Sequence, residues 1–161
     1  MPVLSSIRRR ASRVLVVAAL IASGSVVVSA GPAHAAGCAG GVVCGKVDNQ
    51  SDFGMYTTVG LNSADATDRC DVWNRSGGSA SDPGIWKCWQ RYLGPHSSRG
   101  GNFTGTDIDA FTFNDRPYYL EIDGKSLLVQ QGNWTKISDT QTATCKNYVS
   151  SAARCVVWYT G

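Results

Sequence analysis

The sequence predicts an all-β fold, a single antiparallel β-sandwich stapled by disulfide bonds. Beyond residue 35, short runs rich in β-branched and aromatic residues alternate with Gly, Asn, Asp, Ser and Pro, with little helical periodicity. All six cysteines also lie beyond residue 35, and the 35 residues before them are typical of an exported protein. The runs recur at the spacing of sandwich strands, which favours this architecture over a helical one.

The first 35 residues have the pattern of a secretory signal peptide. Four arginines between Arg8 and Arg13 precede the apolar stretch Val14 to Val28, and Ala33-His34-Ala35 forms a cleavage signal. Ser23-Gly24-Ser25 interrupts the apolar stretch, which is shorter than the roughly 20 residues of a membrane-spanning helix. We therefore expect a leader at residues 1–35, one domain at residues 36–161, and a secreted, extracellular protein that leaves the membrane after cleavage.

Removal of the leader changes the charge of the protein. The whole chain has 15 basic and 12 acidic residues, and without the four leader arginines 11 basic residues remain, a formal charge of −1. Binding to nucleic acid or to anionic lipid requires a concentrated basic surface, which this composition lacks. We expect neither nucleic acid nor membrane as a partner.

The even number of cysteines predicts three disulfide bonds, among Cys38, Cys44, Cys70, Cys88, Cys145 and Cys155. Fifteen connectivities are open to six cysteines. Pairing along the chain is our preference because each bond then closes a short segment that contains a turn. Metal binding is the alternative use of cysteine, but there is no C-x-x-C pair and one histidine after the leader. We expect no metal and no cofactor.

The chain after the leader contains ten predicted strands, and the glycine- and serine-rich stretches 76–84 and 94–105 are predicted surface loops. The strands are Val42 to Val47, Met55 to Gly60, Arg69 to Asn74, Trp86 to Leu93, Ala110 to Asn114, Tyr118 to Ile122, Leu127 to Gln131, Trp134 to Ile137, Thr142 to Val149 and Ala153 to Tyr159.

Two features of the second half of the chain lead to more specific expectations. Asp123-Gly124 suits a type I′ turn, which predicts a hairpin between the strand that ends at Ile122 and the strand that follows. In the last strand, Val156 and Trp158 share one face while Cys155 and Val157 share the other. Because both faces are apolar, we expect a central strand that is buried on both sides.

Residues for catalysis are sparse. His96 is the one imidazole after the leader, and no nucleophile motif of the G-x-S-x-G type is present. Asp107 and Asp109 lie on one side of an extended segment, roughly 7 Å apart, and could serve glycoside hydrolysis or calcium binding. Aspartates also stabilise turns through their own backbone, and we prefer that role. The sequence therefore indicates a protein that is not an enzyme, with an undetected extracellular hydrolase as an alternative.

An aromatic group around Cys88 suggests a binding surface. Trp86, Trp89 and Tyr92 lie within seven residues, next to Lys87, Gln90 and Arg91. Flat rings beside polar groups can stack on sugar faces, although the same residues also fill β-sandwich cores. Strand alternation places Trp86 with Cys88 and Trp89 with Arg91 on opposite faces. We take Trp86, Trp89 and Tyr92 as the candidate contact group for an extracellular glycan or protein.

The segment between Cys70 and Cys88 suggests a different function. A disulfide bond would close a loop that carries Arg75 and a crest rich in glycine and serine. A constrained exposed loop loses little freedom on docking, which suits a secreted protease inhibitor. Inhibition through Arg75 is therefore the main alternative to the binding function.

Three features resemble small secreted actinobacterial proteins with disulfide-bonded β folds. They are the arginine-rich leader, the segment Cys44 to Ser51 and the segment Gly105 to Phe111. The resemblance implies an extracellular location and a disulfide-bonded β architecture, and it brings no catalytic motif with it. The expectation from the sequence as a whole is a secreted, non-enzymatic binding protein.

Overall fold

The computed structural model describes Cys38, residues 43–149 and residues 151–160, and these residues form strands but no helix. The predicted signal peptide and its cleavage site lie outside the described residues. The strands are β1 (Lys46–Asn49), β2 (Met55–Thr58), β3 (Asp68–Val72), β4 (Gly84–Cys88), β5 (Gln90–Leu93), β6 (Ser97–Gly100), β7 (Ala110–Thr112), β8 (Tyr118–Ile122), β9 (Lys125–Val129), β10 (Asn133–Lys136), β11 (Gln141–Val149) and β12 (Ala152–Tyr159).

The strands form two six-stranded sheets. The first sheet has the order β6-β1-β11-β12-β8-β9, and the second has the order β4-β3-β10-β7-β2-β5. Both are mixed, because β1 with β11, β12 with β8, and β10 with β3 are parallel pairs within otherwise antiparallel sheets. The prediction of an all-β, disulfide-stapled sandwich is confirmed, and the parallel pairs are the difference from the antiparallel arrangement that we expected.

The second sheet curls strongly. β4 and β5 lie at opposite ends of its strand order, yet Trp89 alone separates them in the chain. The two edges of the sheet must therefore approach each other at Trp89. The curl divides the predicted strand Trp86 to Leu93, whose first half pairs with β3 and whose second half pairs with β2.

The hydrophobic interior has two parts. The larger core lies between the sheets, where Leu120 and Ala143 of the first sheet meet Met55 and Phe111 of the second. The smaller core lies against the curled second sheet and contains Trp134 together with Cys70 and Cys88. Burial of these apolar side chains is the main source of stability in a domain of this size.

The three disulfide bonds join Cys38 to Cys44, Cys70 to Cys88 and Cys145 to Cys155, which confirms the preferred pairing along the chain. The second bond crosses from β3 to β4, and the third crosses from β11 to β12, where the two cysteines are direct cross-strand partners. Bonds of this kind persist in oxidising compartments. Among the residues that the structure describes, no helix is long and apolar enough to cross a membrane.

Candidate functional site

The outer surface of the first sheet is exposed to solvent along β12. On β12, Cys155 and Val157 point into the core, whereas Val156 and Trp158 point outward and are 37% and 48% exposed. β12 is central in its sheet, as the sequence predicted, but the expected burial of both faces is wrong. The sandwich has two layers, so the outer side of a central strand stays in contact with solvent. Burial in the core therefore does not explain why apolar side chains lie on this side.

Aromatic side chains from three neighbouring strands lie on this surface, which we call the aromatic face: Tyr119 on β8, Tyr148 on β11 and Trp158 on β12. The rings of Tyr119 and Tyr148 meet edge to face with centroids 4.9 Å apart. The indole Nε1 of Trp158 donates a hydrogen bond to Thr144 Oγ1 at 3.4 Å. The rings are thus held in place while large parts of them stay exposed.

Polar side chains lie between the rings. Arg154 donates to the carboxylate of Glu121, and its guanidinium lies 5.6 Å from the centre of the Tyr148 ring. Lys146 is the cross-strand partner of Arg154 and has no ion pair within the described part of the chain. The aromatic face therefore offers hydrogen-bond donors and acceptors beside flat apolar surfaces.

Two adjoining clefts run along the aromatic face. One is about 400 Å³ and is lined by Lys146, Tyr148 and Arg154 among others. The other is about 220 Å³ and extends over β1, where Lys46 and Asp48 line it. Because Thr144 and Trp158 line both clefts, the two form a continuous trough with the tryptophan between them.

The backbone beneath the trough is cross-linked by a disulfide bond. The Cys145–Cys155 bond joins β11 to β12 on the buried side, directly below the strand positions that carry Thr144 and Val156. Both cysteines are fully buried in the larger core. Side chains on cross-linked central strands lose little freedom when a ligand binds, which favours affinity.

The three residues of the contact group predicted from the sequence, Trp86, Trp89 and Tyr92, lie in different environments. Trp86 is partly buried against the smaller core, with Lys136 Nζ 5.2 Å from its ring centre. Trp89 packs on Gly60, and Tyr92 is 57% exposed beside Tyr56, with ring centroids 5.6 Å apart. Within the described residues, no ring contact joins the three predicted residues to one another.

The predicted inhibitor loop is braced from within. The buried side chain of Asn74 donates to the carbonyls of Gly78 and Lys136 and accepts from the Lys136 backbone amide. The amide of Ser76 donates to the Asp82 carboxylate. Arg75 is exposed at this point and lies 4.0 Å from the same carboxylate.

Three acidic side chains meet where the chain passes between the sheets. Asp107 Oδ1 accepts from the Gly45 amide at 2.6 Å, and Asp109 Oδ2 accepts from the Leu61 amide at 2.8 Å. Burial, together with the nearby Asp139, raises the pKa of Asp107 to about 6. Burial raises the pKa of Asp109 to about 7, and the charge of Asp107 adds to the effect. The described residues contain no group of three or more acidic, histidine or cysteine side chains arranged to hold a metal ion.

His96 lies apart from these acids, in an exposed turn. Its Nε2 is 2.8 Å from the Asp52 carboxylate, and Asn147 donates to the other oxygen of that carboxylate. The interaction with Asn147 and with the imidazole lowers the pKa of Asp52. Within the described residues, this imidazole bonds to Asp52 and to no serine hydroxyl.

Comparison with protein-family models, with curated proteins and with solved structures gives no match for this chain. The sequence reasoning missed Tyr119, Tyr148 and Trp158 as site residues. The signal for Trp158 was present in β12, where apolar residues occupy both alternating positions of the strand.

Proposed function

We propose that this protein is a secreted, non-enzymatic binding protein that attaches to neutral polysaccharide through the aromatic face. The observation that carries the proposal is the exposure of Trp158, Tyr148 and Tyr119 on central strands of a rigid sheet. Secretion is supported by the predicted signal peptide and by the three disulfide bonds.

The chemistry of the aromatic face suits a sugar chain. A pyranose ring has apolar C–H faces that stack on aromatic rings, and hydroxyl groups at its edge that need hydrogen-bond partners. The aromatic face offers both kinds of contact. Its charged side chains nearly balance, with three cations and two anions: Lys46, Lys146, Arg154, Asp48 and Glu121. A surface of balanced charge favours a neutral polymer over a polyanion.

The arrangement of the rings favours an extended ligand. Tyr119 pairs with Arg154, four residues before Trp158 on β12, so Trp158 lies roughly 13 Å along the strand from the tyrosine pair. A single sugar cannot contact both places. We therefore expect affinity to rise with the length of the oligosaccharide until the chain spans both.

The experiment measures depletion of the exported protein, purified from culture, by insoluble cellulose, chitin, mannan and xylan. We expect at least one to bind, and Trp158→Ala to weaken binding about tenfold, the effect of one lost stacking contact. Trp89→Ala is the matched control, because this tryptophan lies between β4 and β5, away from the first sheet. Absence of binding to all four polymers would overturn the proposal, and loss in Trp89→Ala instead would return the site to the contact group predicted from the sequence.

The non-enzymatic part of the proposal has its own test. Prolonged incubation of the protein with each polymer that it binds should release no soluble reducing sugar. Release that survives repurification and stops in Asp109→Asn would show a hydrolase instead.

A specific observation also supports the protease-inhibitor alternative. The Cys70–Cys88 bond and the hydrogen bonds of Asn74 and Asp82 brace the loop that carries the exposed Arg75. Proteases that cleave after basic residues are the targets that Arg75 would suit. Sub-micromolar inhibition of a trypsin-like protease, lost in Arg75→Ala and retained in Arg69→Ala, would establish this function, whereas cleavage after Arg75 would exclude it.

A further inference from the structure

We propose that the free edge of β9 binds an extended peptide, which adds to the first sheet as one further strand. β9 is the last strand of that sheet, and no described strand pairs with its outer side. An open sheet edge presents unpaired main-chain groups that another chain can complete. This edge adjoins the aromatic face, because Leu128 is the cross-strand partner of Tyr119. The contacts proposed here are made by the main chain of β9, so the inference does not depend on the polysaccharide proposal.

The hairpin geometry shows which main-chain groups are free. Asp123 and Gly124 have φ values of 50° and 71°, so the turn is of type I′ and the residues on either side of it, Ile122 and Lys125, exchange hydrogen bonds. The pattern alternates along the strand. The N–H and C=O groups of Ser126 and Leu128 therefore point away from β8, toward the open edge.

A cleft of about 420 Å³ runs along this edge, a volume within the range of ligand-binding sites. All of β9 forms one wall, and the rest is lined by Trp73, Ser79, Ser81, Gln130 and Asn133. The Trp73 ring is fixed because its Nε1 donates to Thr135 Oγ1 at 2.9 Å. A hydrogen bond of 3.0 Å from the Ser79 amide to Asp123 Oδ2 joins the loop to the tip of the hairpin.

The chemistry of the cleft favours a peptide. Outward N–H and C=O groups repeat every second residue, roughly 7 Å along β9, which is the repeat of a partner strand. Leu127, which is partly buried, and Leu128, which is exposed, supply apolar surface beside them. Of the described residues that line the cleft, Lys125 alone is charged, and it has no ion pair in the described chain. The complementary occupant is an extended peptide with a carboxylate near Lys125.

The probe is a phage-displayed library of random linear dodecapeptides, selected on the exported protein and followed by titration of the enriched peptides. We expect an acidic position in the enriched motif and at least tenfold weaker binding to Lys125→Gln when that position is retained. The proposal would be overturned if the selection yields no peptide. It would also be overturned if the enriched peptides bind every β9 variant, including those described below, as tightly as the native protein.

Leu128→Pro tests the main-chain contact directly. Its amide points to the open edge, so proline there removes no hydrogen bond to β8, and edge strands tolerate proline at such a position. We expect the variant to lose peptide binding at least tenfold, while Leu128→Ala, which keeps the amide, loses less. Trp158→Ala should bind peptides as the native protein does. Equal binding by the proline and alanine variants would contradict the strand-addition mode.

A second measurement leaves the protein unchanged and remains decisive if the proline variant fails to fold. N-methyl groups are placed one at a time along an enriched peptide and each affinity is measured. Strand addition predicts a loss at every second position, because alternate amides face the edge of β9. Losses without this alternation would show a peptide held by its side chains alone and would overturn the proposal.

Discussion

Tyr119 and Tyr148 meet edge to face on the outer surface of the first sheet, although their strands, β8 and β11, are separated by β12. Arg154 on β12 is the cross-strand partner of Tyr119, its guanidinium lies 5.6 Å from the centre of the Tyr148 ring, and it forms an ion pair with Glu121. An aromatic pair that bridges two strands in solvent orients both rings before a ligand arrives.

The first prediction concerns this pair. Tyr119→Ala and Tyr148→Ala should each weaken binding to the polysaccharide that the protein retains, and the double variant should lose less than the sum. We expect a coupling energy of about 0.5–1.5 kcal/mol, the value of an aromatic contact. Isotherms of the four proteins measure it. Ile85→Ala, an exposed apolar residue of the second sheet, is the control and should bind normally; additive losses would show that the rings act independently.

The second prediction is that the protein becomes less stable as the pH rises from about 4 to about 7. Burial raises the pKa of Asp107 to about 6 and of Asp109 to about 7, above the 3.8 of an ordinary aspartate. Within this window the folded state binds more protons than the unfolded state, so the free energy of unfolding falls with rising pH. Asp139 strengthens the effect and Lys136 opposes it at Asp109.

Urea denaturation at pH 5 and pH 8 measures this dependence. We expect a difference of at least about 1.4 kcal/mol, the equivalent of one pKa unit. Asp109→Asn keeps an acceptor for the Leu61 amide and removes the titration, so it should reduce the difference and stabilise the protein at pH 8. Asp65→Asn, at an exposed position, is the control. Equal stability of the native protein at the two pH values would contradict the prediction.

Features that local interactions determine could be predicted from the sequence, whereas features that depend on pairing between distant segments could not. The hairpin around Asp123-Gly124 could be predicted because its turn chemistry is local, and the structure has the positive φ values that the turn requires. β6 was missed because Ser97 to Gly100 have no strand pattern and become a strand through pairing with β1. Local sequence favours the surface loop that we predicted for residues 94–105, and that prediction is wrong at Ser97–Gly100.

The aromatic face could not be predicted for a related reason. Alternation correctly placed Val156 and Trp158 on one side of the last strand, but which side of a sheet is covered depends on how many layers pack together. The break at Trp89 is of the same kind, because β4 and β5 pair with different strands of the curled sheet. Tertiary contacts decide both features.

The third prediction is that EDTA leaves the melting temperature unchanged. Asp107 and Asp109 each use an oxygen to accept a backbone amide, and burial favours their neutral form, so neither is prepared to bind calcium. Thermal unfolding of the exported protein with 1 mM calcium chloride and with excess EDTA is the measurement. A lower melting temperature in EDTA that calcium restores would establish a structural ion and contradict the prediction.

The fourth prediction separates the role of a disulfide bond in stability from its role in binding. Replacing Cys145 and Cys155 by alanine should lower the free energy of unfolding by about 3 kcal/mol, as should replacing Cys70 and Cys88, because both bonds close short loops in the unfolded chain. The two disulfide bonds differ in their position relative to the aromatic face. Cys145–Cys155 joins the two strands that carry Tyr148 and Trp158, whereas Cys70–Cys88 lies in the second sheet.

The two double variants should therefore differ in their affinity for polysaccharide at a temperature where both remain folded. Without the Cys145–Cys155 bond, β11 and β12 can move relative to each other, and part of the binding energy is spent on ordering the trough. We expect a loss of about threefold to tenfold in this variant and no loss in the variant without Cys70–Cys88. Depletion isotherms, with near-UV circular dichroism to verify folding, make the comparison. Equal losses would mean that the bond contributes only to global stability.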